Sequence, residues 1–585
     1  MKSRIVLFCL SLFVGMSVFS SAAEPETAKK LHALFDREWE WSMKTFPTWA
    51  SHLGDYRYNT RWTDESLDGY RNRQQHYQNV LTEFAQIDAG QLSQTDRINL
   101  ELFRRDYQQN VDGFKFGWHL VPLTARGGIQ DQSSTADSLP FEKVQDYEDW
   151  IARMEGIPEL VEQTMILMEE GIERKVLPAK IVMERVPDQI ARQVVDDPEK
   201  SLFYKPFREF PKAIPAEEKA RIRTKAKQVI EAQVIPAYRK FQTFFNEEYL
   251  PASFDKPGTW QIPDGQKFYA HRAKMFTTTD LTPREIHEIG LKEVARIRAE
   301  MEKIVKQVKF TGTFDEFLEH LRTDTKFYCD DQQQLMNEYQ AVCKRIDPTL
   351  DQVFKRQPKI PYDLQAIPAH LAPDTTTAYY RRPSADGLRP GTYFVNLYRP
   401  EVRPRYEMMA LSLHEAVPGH HFQIAFAMEL EGLPPFRRYG GYTAFVEGWA
   451  LYAESLGDEL GLYDDPYSKF GQLTYEMWRA VRLVVDTGLH SLKWSRQEAI
   501  DFFAANTAKA LHDIENEIDR YIGWPGQALA YKMGELKIKE LRRHATTELG
   551  EKFDLREFHD VILRHGAVPL DVLEQLINEW IDEQK

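Results

Sequence analysis

Cysteine is scarce, with Cys9, Cys329 and Cys343 the only three in a chain of 585 residues. Once Cys9 is assigned to a leader, at most one disulfide is available, even in an oxidising compartment. Cys329 and Cys343 stand fourteen positions apart. On one straight helix they would be separated by about 21 Å, so a bridge needs a bend between them. Positive charge is also in short supply: 75 Lys and Arg face 89 Asp and Glu, for a formal charge of −14. That excludes a nucleic-acid binder, which needs a dense Lys/Arg surface to neutralise phosphates. Internal repeats, low-complexity tracts and long linkers are missing too, so the chain reads as one large body.

Apolar material is plentiful. Hydrophobic residues make up 42% of the chain, including 34 Phe, 26 Tyr and 12 Trp, enough to bury a large interior. Residues 1–23 form a secretory leader: Lys2 and Arg4, then the apolar run Ile5 to Val18, then Ser20-Ser21-Ala22-Ala23. The run falls short of the ~20 residues of a membrane span, and Phe8 is too bulky to precede a lipidated Cys9. The reading is a periplasmic or secreted protein without a stable membrane anchor, beginning near Glu24. Loss of Lys2 and Arg4 takes the formal charge from −14 to −16.

Helical spacing dominates, as in Leu31, Leu34, Phe35 and Trp39. Ser93 is placed to cap a helix carrying Leu100, Leu102 and Phe103. Residues 127–140 read as a loop, Ala216 to Tyr249 as a long helix kinked at Pro236, and three further helices are expected over Pro283–Val308, Thr313–Arg322 and Gln332–Phe354. Thr377–Tyr380 and Gly391–Leu397 read as two short strands around Asp386-Gly387. The expected fold is mainly α: a leader at 1–23, then a single domain at 24–585. Its helical N-terminal portion covers about 24–370. Its C-terminal portion, about 371–585, holds a small antiparallel sheet beside the motif helix.

The chemistry concentrates at His414-Glu415-Ala416-Val417-Pro418-Gly419-His420-His421. Zinc hydrolysis uses neutral imidazoles, commonly a carboxylate as third ligand, and a nearby Glu that takes a proton from water. Two imidazoles at i and i+4 share one face of a helix, but here i+4 is Pro418. His421 at i+7 returns to that face about 10.5 Å further along the axis. Ligand nitrogens on one zinc ion stand no more than about 4.2 Å apart. The helix must therefore break, and Pro418-Gly419 supplies the means. The expected ligands of one zinc ion are His414, His421 with His420 as alternative, and Glu447 with Glu454 as alternative; Glu415 is the general base. Glu447, Leu451 and Glu454 share a helix face, so Glu454 could instead orient a ligating His.

These residues resemble a bacterial family known as domain of unknown function 885, whose members carry His-Glu-x-x-Pro-Gly-His-His. The segments Glu447–Glu454, Val485–His490 and Gln527–Gly534 resemble later family segments. The resemblance implies a relationship to zinc peptidases with a third Glu ligand and a helical body enclosing a channel that admits short peptides. Carried over to this chain, His490 and Tyr531 are candidates to stabilise the oxyanion, and Arg482 could hold a substrate carboxylate. Tyr393 and Asn396, on an expected edge strand, are candidates to bind an extended peptide. The expected activity is zinc-dependent hydrolysis of short peptides, with a non-peptide amide or ester, or silent peptide binding, as alternatives. Oligomeric state is left open.

Overall fold

The computed structural model describes residues 25–369, 372, 375–385, 387 and 389–585; the leader lies outside them. Helix is the dominant structure, as the periodicity predicts. The first helix, Glu26–Thr45, buries Leu31, Leu34 and Phe35 on one face. Ser93 caps the Gln94–Phe114 helix, its hydroxyl accepting from the Asp96 N–H at 3.1 Å. The N-terminal helices join the C-terminal part through Arg437 to Asn99 Oδ1 at 2.6 Å, Tyr442 to Asp106 at 2.9 Å and Arg105 to Asp571.

Two expectations change in the first half. Residues 127–140 are not plain loop, because Ile129–Ser138 winds into 3-10 turns. Gln130, Ser133 and Ala136 are buried there at the three-residue spacing of that helix. The run from Ala216 is one continuous rod to Ala252, interrupted by π turns at Ile230–Val234 and Phe245–Tyr249. Pro236 has no N–H to give to an α turn, and the chain widens just before it. Before that turn the rod packs on Val144–Glu155, and after it on Ile157–Arg174 and Val186–Ala191.

Pro466–His490 is the central helix. From Phe470 to His490 every residue except Trp478 is buried, and a helix covered on all sides needs partners all round. Pro283–Gln307, Arg405–Glu415 and Arg496–Asn506 supply three of them. The Thr443–Ser455 and Ala530–Leu549 helices also approach each other closely. A Cβ on Gly448 would lie 2.5 Å from the Gly534 backbone, and one on Gly534 would lie 1.8 Å from the Ala444 carbonyl oxygen. Only two facing glycines permit that contact.

The sheet has three strands, β1 (Tyr362–Ala366), β2 (Ala378–Arg381) and β3 (Gly391–Val395), in the order β1-β3-β2. β1 runs parallel to β3 and β2 antiparallel to it, so the sheet is mixed rather than antiparallel. β1 escaped the sequence reading although Tyr362, Leu364 and Ala366 alternate with Asp363 and Gln365, a period-two signal. β3 is central and fully buried, not an edge strand. Cys329 and Cys343 are both free and buried. Among the described residues no helix is long and apolar enough to cross a membrane.

A buried acid stitches three elements together. Asp486 on the central helix accepts from Tyr269 Oη at 2.5 Å and from the Gly526 N–H at 3.1 Å, the latter in the sharp turn at Trp524-Pro525-Gly526. Burial nevertheless pushes its carboxyl up to about 7 against these bonds and the charges of Arg272 and Arg520. The folded chain therefore keeps a proton that the unfolded chain releases near pH 4. Stability from this group is complete below that pH and is lost as pH rises through 7, up to about 4 kcal/mol in all. Asp486→Asn, which mimics the protonated acid, should melt above the wild type by a margin that grows from pH 5 to pH 8. A margin independent of pH in thermal scans would refute the assignment.

Candidate metal centre

The motif helix Arg405–Glu415 stops directly after the His-Glu pair, and a second helix, His420–Met428, starts at His420. Between them the Val417–Pro418 peptide is cis, and the His421 N–H donates back to the Ala416 carbonyl at 3.1 Å. Gly419 lies against the end of the first helix, where a Cβ would come within 1.9 Å of the His414 carbonyl oxygen. No other residue fits that approach. Trp449 Nε1 donates to the Pro418 carbonyl at 2.8 Å and ties the turn to the Thr443–Ser455 helix.

This break brings His414 and His420 together, with ring centroids 4.7 Å apart and planes at 86°. Glu447 Oε2 lies 3.6 Å from His414 Nε2 and 3.4 Å from His420 Nε2. All three ligand atoms fall within 4.8 Å of one another. Ligand atoms around a tetrahedral zinc, each at about 2.1 Å, stand about 3.4 Å apart. The residues therefore fit such an ion in donor type and spacing. Two buried atoms of the group, Glu447 Oε2 and His420 Nδ1, have no hydrogen-bond partner among the described residues. The side chains of His414, His420 and Glu447 are 3%, 12% and 17% exposed.

His421, the preferred second ligand in the sequence reading, turns elsewhere. Successive side chains on a helix diverge by about 100°, so one of the pair faces His414 and the other must leave. Tyr380 Oη donates to His421 Nδ1 at 2.9 Å, and His421 Nε2 donates to the Ile360 carbonyl at 3.0 Å. His421 thereby clamps β2 and the entry to β1 onto the motif, and burial pulls its ring down to about 4.

Glu454 takes the orienting role, since its Oε1 accepts from His414 Nδ1 at 2.8 Å. That bond leaves Nε2 of His414 facing Glu447. Arg479 Nη2 stands 3.7 Å from the same Glu454 oxygen. Burial opposes a charge on His414, but contact with Glu447 and Glu454 lifts its ring to about 9. Glu447 is held well below the usual carboxylate range, because the neighbouring His420 and His414 rings outweigh the cost of burial. Glu415 is half-buried and accepts no hydrogen bond from a described side chain.

The remaining expected site residues lie outside the His/Glu group. His490 is fully buried, with Nδ1 accepting from the Thr259 N–H at 3.2 Å and Nε2 donating to the Tyr521 carbonyl at 3.0 Å. With both nitrogens used by backbone, it has no donor for an oxyanion. Tyr531 Oη meets Arg520 and Gln527 rather than the His/Glu group. Asn396 gives its amide to the carbonyls of Ala372, Thr375 and Thr376, and Tyr393 faces Ser412 inside the core. Both serve the fold, because β3 has neighbours on either side. Arg482 is buried against Glu517 and Tyr521. Tyr380, Trp449 and Arg479 went unnoticed in the sequence; nothing in their spacing marks them.

Residues 47–577 match the family described as "Bacterial protein of unknown function (DUF885)", and the chain belongs to that family. Its fold is similar to a solved "putative lipoprotein" from Colwellia psychrerythraea, at 29% identity and a TM-score of 0.89 over 95% of this chain and 99% of that one. A "putative lipoprotein of unknown function" from Shewanella oneidensis shares the fold at 19% identity and a TM-score of 0.71, over 95% of this chain and 100% of that one. No curated protein matches the chain.

Metal analysis of single variants tests the ligand set. His420→Ala should lose bound zinc, with affinity falling at least tenfold. His421→Ala should keep its zinc and pay about 1–3 kcal/mol in stability for two broken buried hydrogen bonds. The opposite pattern of metal loss would restore His421 as the ligand.

Proposed function

We propose that this protein is an exported, zinc-dependent hydrolase of peptide bonds in short peptides. The observation that carries the reading is the convergence of His414 Nε2, His420 Nε2 and Glu447 Oε2 at ligand spacing, with Glu415 next in sequence to His414. Two imidazoles and one carboxylate leave a fourth position open, the arrangement of catalytic rather than structural zinc. The bound ion would supply Lewis acidity, making water a nucleophile near neutral pH and polarising the scissile carbonyl.

The chain's own residues supply the rest. Glu454 holds His414 in the tautomer that presents Nε2. Glu415, adjacent in sequence to a ligand yet free of hydrogen bonds to described side chains, takes the proton of the attacking water. It then returns that proton to the leaving amine. The sheet pinned by Tyr380 and His421 borders the site on one side.

Export is supported by the leader pattern in residues 1–23 and by the lipoprotein descriptions of the two similar structures. Cys9 lies inside the apolar run behind a bulky Phe8, which favours a soluble periplasmic or secreted form over lipid anchorage.

Glu415→Gln keeps the shape of the side chain and removes the base. Zinc content should stay unchanged while peptide turnover falls about 100-fold or more, measured by mass spectrometry on a broad peptide mixture. Zinc-loaded wild type that cleaves no peptide would end the peptidase reading; full activity in Glu415→Gln would end only the role of Glu415.

A further inference from the structure

Beyond the metal group, the interior holds a cluster with more donors than acceptors. Three guanidinium groups surround one carboxylate. Arg482 Nη2 and Arg520 Nη1 each stand 3.1 Å from Glu517 Oε2, and Arg126 Nη2 stands 3.7 Å from Oε1. Asp519, the nearest acid in sequence, is occupied by Arg185 and Arg496. Asp486, the other acid close to Arg520, has its own partners in Tyr269 and Gly526. The Glu517 group therefore carries two positive charges in excess.

Hydrogen bonds show the same shortage of acceptors. Tyr521 Oη accepts from Trp478 Nε1 at 3.0 Å and Arg482 Nε at 2.8 Å, and donates to Glu517 at 2.8 Å, so it is fully used. Tyr531 Oη accepts from Arg520 Nη2 at 3.3 Å and Gln527 Nε2 at 3.5 Å. Its own proton finds no acceptor among the described residues. Arg482 Nη1 is buried without a partner, and its side chain is only 3% exposed. A guanidinium has five N–H donors and accepts nothing, and an unmatched buried charge is costly. An anion is the group that would complete this cluster.

The cluster neighbours the metal group. Arg482 follows by one helical turn Arg479, which approaches Glu454. Tyr531 precedes by one turn Gly534, which touches Gly448 beside Glu447. Its far side reaches solvent at Arg126, whose side chain is 45% exposed.

We propose that this cluster seats a substrate carboxylate, the free C-terminal carboxylate of a short peptide, so that cleavage proceeds from the C-terminal end. This rests on the hydrolase reading above. Arginine forks suit carboxylate geometry, and the surplus positive charge repels the ammonium group at the other end of a peptide. An acidic side chain presents the same chemistry, and the test separates the two sources.

Zinc-loaded Glu415→Gln protein should be titrated calorimetrically with three peptides that differ only at the end: a free acid, its C-terminal amide, and an amide whose last residue is Glu. The free acid should bind at least tenfold more tightly than either amide. Arg126→Ala, at a partly exposed position, and Arg520→Gln should each erase that preference while melting as cooperatively as the parent. Equal affinity for acid and amide, or no binding of any of the three, overturns the carboxylate seat. Tight binding of the Glu-ended amide moves the seat to acidic side chains and overturns the C-terminal assignment. Because this readout needs no turnover, a wild type that cleaves nothing would sink the hydrolase reading and leave the carboxylate result standing by itself.

Discussion

One imidazole is divided between two carboxylates of a single helix, and much of the centre is arranged around that division. His414 donates through Nδ1 to Glu454 and faces Glu447 with Nε2. Two points of contact, seven residues apart on the Thr443–Ser455 helix, hold the motif helix in one rotation against its neighbour. A His414 turned by even one rotamer would lose a charge-assisted bond in a dry interior, where replacement by water is not available. The helix that carries both acids is itself pressed onto Ala530–Leu549 through Gly448 and Gly534. Rotation, spacing and ring orientation are thus set by separate contacts that agree with one another.

The same interior shows two ways of keeping charge away from water. Lys532 is fully buried and shares Glu293, Glu476 and Glu535 with Arg296 and Lys539, so three cations meet three acids. Around Glu517 the cations outnumber the acids. A protein can afford buried ions when they are paired, so the matched group reads as framework and the unmatched one as a place prepared for something that arrives. Both lie on helices that also flank the His/Glu group.

Much of the helical plan could be read from the chain because it depends on local terms. The capping Ser93, the Pro283 start and the apolar spacing of the first helix are set by near neighbours. The need for a break between His414 and its partner was also legible, because ligand geometry and helix rise conflict whatever the fold. Which histidine profits was not, since that depends on the direction in which the second helix departs. His421 looked better by helical phase, but phase means nothing across a turn that restarts the helix at His420. Strand order was out of reach for a similar reason: β1 enters from 362 to flank β3, and no local signal says which strand ends up in the middle. His490 illustrates the limit for single residues, as its two backbone partners come from segments 231 and 31 positions away.

The rod from Ala216 to Ala252 has a history written in its π turns. Each such turn fits one extra residue into an otherwise regular helix, and each extra residue rotates everything downstream by about 100°. The half before Pro236 can therefore face the Val144–Glu155 helix while the half after it faces Ile157–Arg174, without any bend large enough to end the rod. A family that gains or loses one residue in such a stretch need not remodel a loop. It re-aims a whole helical surface, and the chain length at Ile230–Val234 becomes a dial for which neighbours the rod can hold.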